Sequence, residues 1–146
     1  MKIKPPHISL ALLILSFVID YFFPQFRFIH GPLRYAGIIL VLTGLSMTFY
    51  SFYLFKKNKT PILPGTKPTF VVMQGPYKFT RNPMYLGVTL ALLGMSIYIG
   101  NLLVLLSPLI FFIAISIVYI PFEEKLMEKL FGKKYLDYKK KVRRWI

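Results

Sequence analysis

Two short polar clusters interrupt an otherwise apolar chain, and both carry groups able to bind a ligand. The first lies in GPYKFTRNPMYLG, residues 75–87, which sets Tyr77, Arg81, Asn82 and Tyr85 among prolines and glycines. The second is the adjacent pair Glu123 and Glu124. Guanidinium, amide and phenol groups donate hydrogen bonds to a carboxylate, and arginine can do so with two parallel bonds. A glutamate accepts from an ammonium or from a diol. Together these groups suit a ligand that carries both a carboxylate and an ammonium. S-adenosylmethionine has both, with a ribose diol and a sulfonium that activates its methyl group. Transfer of that methyl is a one-step displacement, in which a protein mainly aligns the reactants and excludes water. Such chemistry needs no nucleophilic cysteine, and the chain has no cysteine at all.

The two clusters meet only if the intervening chain folds back on itself. Four apolar segments are present: Ile8–Phe23, Leu33–Phe55, Met84–Ile99 and Leu102–Phe122, the last interrupted by Pro108 and Pro121. The second is long enough to cross a bilayer with some tilt. The first and third are marginal alone and need a partner or a short 3₁₀ extension. Gly100 and Asn101 separate the last two segments and predict a tight turn between antiparallel helices. Tyr85 lies about as far before that turn as Pro121 lies after it. A hairpin there brings residues 83–85 and 121–124 to the same depth. Gly37 and Gly44 on the second segment, and Gly87, Ala91 and Gly94 on the third, are small residues at helical spacing. They allow close helix approach in lipid, or are simply tolerated there.

Composition agrees with membrane helices. The chain of 146 residues is 55% hydrophobic with a formal net charge of +14, and its mean hydropathy is +0.57. That length predicts a single domain over residues 1–146, with two N-terminal spans in 1–55 and a cofactor-binding part in 56–146. No soluble nucleic-acid recognition module remains once the apolar segments are removed. The only histidines are His7 and His30, which argues against a metal site. Lys2 and Lys4 precede the first apolar run without a small-x-small cleavage site, so this run reads as an uncleaved anchor.

Six Lys/Arg lie between Lys56 and Arg81 and nine between Lys125 and Arg144, while the 100–101 turn has none. The positive-inside rule places both termini and the 56–83 loop in the cytoplasm, with Arg27 and Arg34 as a mild violation. The loop holds Pro61, Pro64, Pro68, Pro76 and Pro83 with Gly65 and Gly75, a stiff irregular path that is too long for a mere connector. On that side the NKT sequon at 58–60 is never used. After Pro121, apolar residues recur at helical spacing through Tyr138 opposite a lysine-rich face, the pattern of an amphipathic helix on anionic lipid. Gly132 interrupts it or ends its first half. The fold class expected is an all-α integral membrane protein of about four transmembrane helices, with a cytoplasmic Pro-rich loop and a C-terminal amphipathic helix.

Plainer roles stand beside the ligand site. Arg81 can be an interfacial anchor, Tyr77 and Tyr85 belt aromatics, and the glutamates partners of Lys125 or Lys129 on the helix surface.

The combined pattern resembles the isoprenylcysteine carboxyl methyltransferase family of integral membrane methyltransferases, in particular its short prokaryotic members, and the related phospholipid methyltransferases. The resemblance covers roughly residues 60–145. It rests on the order Gly-x-Tyr, Arg-x-Pro-x-Tyr, Glu-Glu and Phe-Gly-x-x-Tyr-x-x-Tyr. It implies S-adenosylmethionine bound at the cytoplasmic membrane face. The backbone of Thr69, Phe70, Val71 and Val72, with Tyr77, would line one side of that site. Asn82, Pro83, Met84 and Tyr85 would form the other wall. Glu123 would bind the cofactor and Glu124 would support it, and Arg81 would order the loop or approach the cofactor carboxylate. Arg81, Tyr85 and Glu123 are the residues expected to act in catalysis. Many members have His at the position of Asn82, which cannot titrate near neutrality. Eukaryotic-type enzymes place an Arg four residues before the first glutamate, near the substrate carboxylate; here that position is Tyr119. The acceptor is therefore a prenylcysteine-like carboxylate or a lipid amine, reaching the site from the lipid. Two other classes remain open: an NADPH-dependent membrane reductase of the steroid-reductase type, and a non-catalytic module that binds anionic lipid through its tail.

Overall fold

The computed structural model describes residues 4–61 and 66–146. Lys2, Pro64 and Gly65 from the patterns above lie outside the described residues. Helix α1 covers Pro5–Phe22, α2 Tyr35–Lys57 and α3 Pro83–Ile99. A fourth, continuous rod runs through α4 (Leu106–Ala114), a π-helical turn (Ile115–Tyr119) and α5 (Ile120–Phe131), and α6 (Lys133–Lys141) follows. Among the described residues no strand forms, and only two isolated bridges join extended segments, Arg27 with Asn101 and Thr80 with Arg143. Three rods, Pro5–Phe22, Gly31–Lys57 and Leu102–Phe131, are long and apolar enough to cross a membrane, and Pro83–Ile99 is a shorter apolar helix. Only 17% of the first two windows is buried within the protein, so the apolar side chains of these helices face outward, as lipid requires.

Close packing of α2 on α3 organises the bundle. A Cβ on Gly37 would stand 2.3 Å from the carbonyl oxygen of Gly94, and one on Gly44 would stand 2.4 Å from that of Gly87. Two pairs of hydrogen-only residues thus let the backbones touch. Helix α1 joins the bundle through the rod instead, where Ser16 and Ser107 share a hydrogen bond of 2.8 Å.

The expected turn forms where α3 meets the rod. Gly100 ends α3 at φ +80°, and a Cβ there would lie 2.5 Å from the Ile29 carbonyl oxygen. Asn101 is fully buried; its amide reaches Asp20 at 3.2 Å and the Phe23 carbonyl at 2.9 Å. The two arginines of the 24–34 loop are held internally. Arg27 forks onto Asp20, while Arg34 donates to the Tyr98 carbonyl at 2.6 Å and covers the Tyr98 ring.

Neither proline breaks the rod. Pro108 falls in the first turn of α4, where its missing N–H is no loss. Pro121 sits one residue inside α5, directly after the π turn. A π turn at this place is a usual accommodation of such a residue, and the rod continues and carries Glu123 and Glu124 past the end of α3. The tail does break, at Gly132 with φ +47° and ψ −126°, so it forms two helices rather than one. Tyr135 and Tyr138 of α6 then pack with Val71 and Val142, which lays the second helix over the 66–82 loop.

Candidate functional site

Loop 66–82, the start of α3 and the start of α5 converge on one cavity of about 400 Å³. That size falls within the roughly 300–1,000 Å³ of cofactor pockets. Its walls include Val71, Val72, Tyr77, Arg81, Asn82, Met84, Tyr85, Glu123 and Glu124, nine of the residues singled out by sequence. The hairpin register accounts for their meeting. Tyr85, in the first turn of α3, donates its hydroxyl to Glu123 Oε1 at 2.6 Å.

The adjacent glutamate turns to a different environment. Glu124 accepts from Arg81 Nη2 at 2.8 Å and from Arg144 Nε and Nη2 at 3.1 and 2.9 Å. Lys139 approaches it at 3.5 Å. Both Arg81 and Glu124 side chains are only 8% exposed, so this pair is charged, buried and satisfied from several directions. Arg81 also donates from Nη1 to the Lys139 carbonyl at 3.0 Å. Its Nε is buried without a protein partner.

The last residues of the chain lock the loop in place. The backbone N–H of Arg81 donates to the Arg143 carbonyl at 3.0 Å. The Thr80 hydroxyl and the Asn82 amide both donate to the Arg144 carbonyl, at 3.2 and 2.9 Å. Trp145 then stacks on Phe112 of the rod, with ring centroids 4.6 Å apart. Tyr138 ties α6 to the same loop by donating to the Tyr77 carbonyl at 2.7 Å. Burial pushes the Tyr77 phenol well above its ordinary pKa, and Tyr138 adds to the effect. Tyr77 is therefore a neutral donor against its neighbour Phe55.

Four residues expected at the site do not line the cavity as described. Thr69 is bonded within the loop, to the Thr60 hydroxyl and the Lys59 carbonyl. Phe70 turns its ring under the Lys134 ammonium, 5.0 Å away. Pro83 is the buried first residue of α3. Tyr119 is buried in the core with Leu12, Phe111 and Ile115. Conversely, the cavity extends to Pro5, Pro6 and Ser9 of α1 and to Thr48, Phe52 and Phe55 of α2, none of which the sequence placed at the site. A signal for the α2 residues was available. The stripe Gly37–Gly44 continues at helical spacing as Thr48, Phe52 and Phe55. For Arg143, Arg144 and Trp145 there was little to read, because three of the contacts go to backbone carbonyls that any residue supplies.

Outward-facing apolar helices around a largely apolar cavity that carries a few polar groups at their ends define the class, a membrane-embedded fold. The sequence profile of the phospholipid methyltransferases matches residues 33–134. The chain belongs to the phospholipid methyltransferase family. A segment of 63 residues is 43% identical to an uncharacterized protein of Haemophilus influenzae, covering 43% of this chain and all of that one. The solved structure of a eukaryotic intramembrane Ras methyltransferase, isoprenylcysteine carboxyl methyltransferase, matches with a TM-score of 0.73 at 24% identity over 97% of this chain. This chain spans about half of that protein, 51% of its length, and the likeness establishes a shared fold.

Proposed function

We propose that this chain transfers the methyl group of S-adenosylmethionine to a lipophilic acceptor, with the active site and both termini on the cytoplasmic side. The observation that carries this is the Tyr85–Glu123 bond at the wall of a cavity that also presents Arg81. The donor set fits the cofactor. Arg81 Nε is a buried donor without a partner, suited to a carboxylate. The second oxygen of Glu123 is an acceptor suited to an ammonium or a ribose diol. Val71, Val72 and Met84 offer apolar walls to a purine ring. When bound, the cofactor supplies a methyl group already activated by its sulfonium.

The remaining work belongs to the protein. Glu123 and Arg81 hold the polar ends of the ligand, and Glu124 holds Arg81 in place. The apolar linings of α1 and α2 exclude water and present the acceptor. A carboxylate acceptor needs no base. An ammonium must lose a proton before its nitrogen attacks, and the Tyr85–Glu123 pair is the hydrogen-bonded acid–base couple at hand. The Lys/Arg excess of loop 56–81 and of the tail supports the cytoplasmic placement. Family membership and the buried Tyr119, which offers no cation to a substrate carboxylate, favour a lipid amine over a prenylcysteine.

The test is transfer of a labelled methyl group by the purified protein to a phospholipid amine and to a prenylcysteine, each in mixed micelles. Label in the amine lipid is the expected result. Label in the prenylcysteine alone reverses the acceptor assignment. Label in neither, from a folded protein, counts against the activity.

A further inference from the structure

A second hollow, of about 390 Å³, lies beside the first on the outer side of Tyr138, whose ring borders both. Its floor is Met73, Tyr138 and Val142, and its rim is Lys78, Lys134, Asp137 and Lys141. The rim lysines come from two elements. Lys134, Asp137 and Lys141 lie at helical spacing on α6, and Lys78 belongs to the short 3₁₀ turn Gly75–Lys78 of the facing loop. We propose that this hollow binds the phosphate of an anionic lipid headgroup, separately from the catalytic cavity.

The chain has five acidic residues in all. Asp20 is held by Arg27, Glu123 by Tyr85, Glu124 by Arg81 and Arg144, and Glu128 by Lys139. Asp137 alone is left to face three rim lysines. Among the described residues, none of Lys78, Lys134 and Lys141 is in an ion pair with a carboxylate. Three ammonium groups from two elements around an apolar floor leave a net positive pocket, which fits a phosphate with an apolar substituent.

The surroundings favour a lipid over a free anion. Phe79, next to Lys78, is 76% exposed and lies four residues before Pro83, the first residue of α3. An exposed aromatic at the mouth of a membrane helix is an interfacial anchor, so Lys78 sits at headgroup level. Lys134 is held over the ring of Phe70, also partly exposed, on the same face.

Native mass spectrometry of the full chain in neutral detergent tests this without relying on turnover. The probes are phosphatidylglycerol, phosphatidylcholine and glycerol 1-phosphate. The wild type should retain phosphatidylglycerol in preference to phosphatidylcholine. The triple variant Lys78→Gln, Lys134→Gln, Lys141→Gln should bind it at least about ten-fold more weakly. A control triple, Lys125→Gln and Lys129→Gln on α5 with Lys133→Gln at the start of α6, should keep it. Lys78→Gln and Lys134→Gln, made singly, should each lose part of the affinity with an unchanged melting temperature, which separates binding from folding. Equal losses in the two triples would mean diffuse attraction to basic surface and would overturn the site. So would wild-type retention by the rim variant. Displacement of the lipid by an equal concentration of glycerol 1-phosphate would make this a free-phosphate site and overturn the lipid assignment.

Discussion

Tyr85 and Glu123 lie 38 residues apart in sequence, yet the phenol of one donates to the carboxylate of the other at 2.6 Å. The bond spans from the first turn of α3 to the first turn of α5, across the cavity wall. It exists because a turn at Gly100–Asn101 and a rod that survives Pro121 bring the two helix ends to one depth. The bond therefore reports on both the hairpin and the site.

Removing its donor is the first prediction. Tyr85→Phe leaves the Glu123 carboxylate without its hydrogen bond in a buried setting, which costs about 1–3 kcal/mol. Thermal unfolding in detergent should show a lower melting temperature. An unchanged one would mean that the bond does not contribute in the folded protein.

Glu124 should matter more to stability than its partner at the surface. Glu124→Ala strands the buried Arg81, and breaking such a pair costs about 3–5 kcal/mol. Arg144→Ala removes a side chain that is 40% exposed and should cost about 1 kcal/mol or less. Denaturant titrations that rank the two variants the other way would contradict the role given to the buried pair.

Packing of α2 on α3 gives a third test. Gly87→Ala places a methyl 2.3 Å from Thr48 Oγ1 and 2.5 Å from the Gly44 carbonyl oxygen, so the helices must separate. Overpacking of this kind costs about 1–3 kcal/mol. Gly44→Ala should behave alike. An alanine at Gly31, where φ is +66° but nothing lies within 4 Å, carries only backbone strain of about 1–2 kcal/mol and should leave the helix contact intact. Crosslinking between cysteines placed on α2 and α3 should therefore drop for the first two variants only.

Alkaline pH offers a fourth. Burial raises the phenols of Tyr77, Tyr135 and Tyr138 above their ordinary value of 10.0, Tyr135 to about 12. Above pH 10 the unfolded chain releases these protons before the folded protein does, so the folded state binds more protons and loses relative stability as pH rises. Their contribution is fully present below pH 10, and that of Tyr135 falls between about 10 and 12. Melting temperatures should show this fall, and Tyr135→Phe should flatten it. An equal fall in that variant would remove Tyr135 from the account.

Much of this arrangement was legible because apolar periodicity and turn residues are local signals. The apolar segment 84–99, the 100–101 turn and the meeting of residues 83–85 with 121–124 all follow from segment lengths. Glycine spacing on α2 and α3 left open whether the small residues meet, and the backbone approach at Gly37–Gly94 and Gly44–Gly87 answers it. Other features depend on contacts that have no side-chain signature. The carbonyls of Arg143 and Arg144 fasten Thr80, Arg81 and Asn82, and a backbone acceptor looks the same in every sequence. Pro121 suggested an interruption, yet with a π turn just before it the rod continues. Arg27 and Arg34 ran against the charge rule until Asp20 and the Tyr98 carbonyl came into place beside them.

Binding of S-adenosylhomocysteine, measured by calorimetry on the detergent-purified protein beside Glu123→Gln, tests the central claim most directly. The account predicts saturable binding by the wild type and at least about ten-fold weaker binding by the variant, with both proteins folded, since a bond to a charged group is worth about 1.5–3 kcal/mol. No heat from a folded, monodisperse wild type, or equal affinity in the two proteins, would contradict the assignment of this cavity to the cofactor.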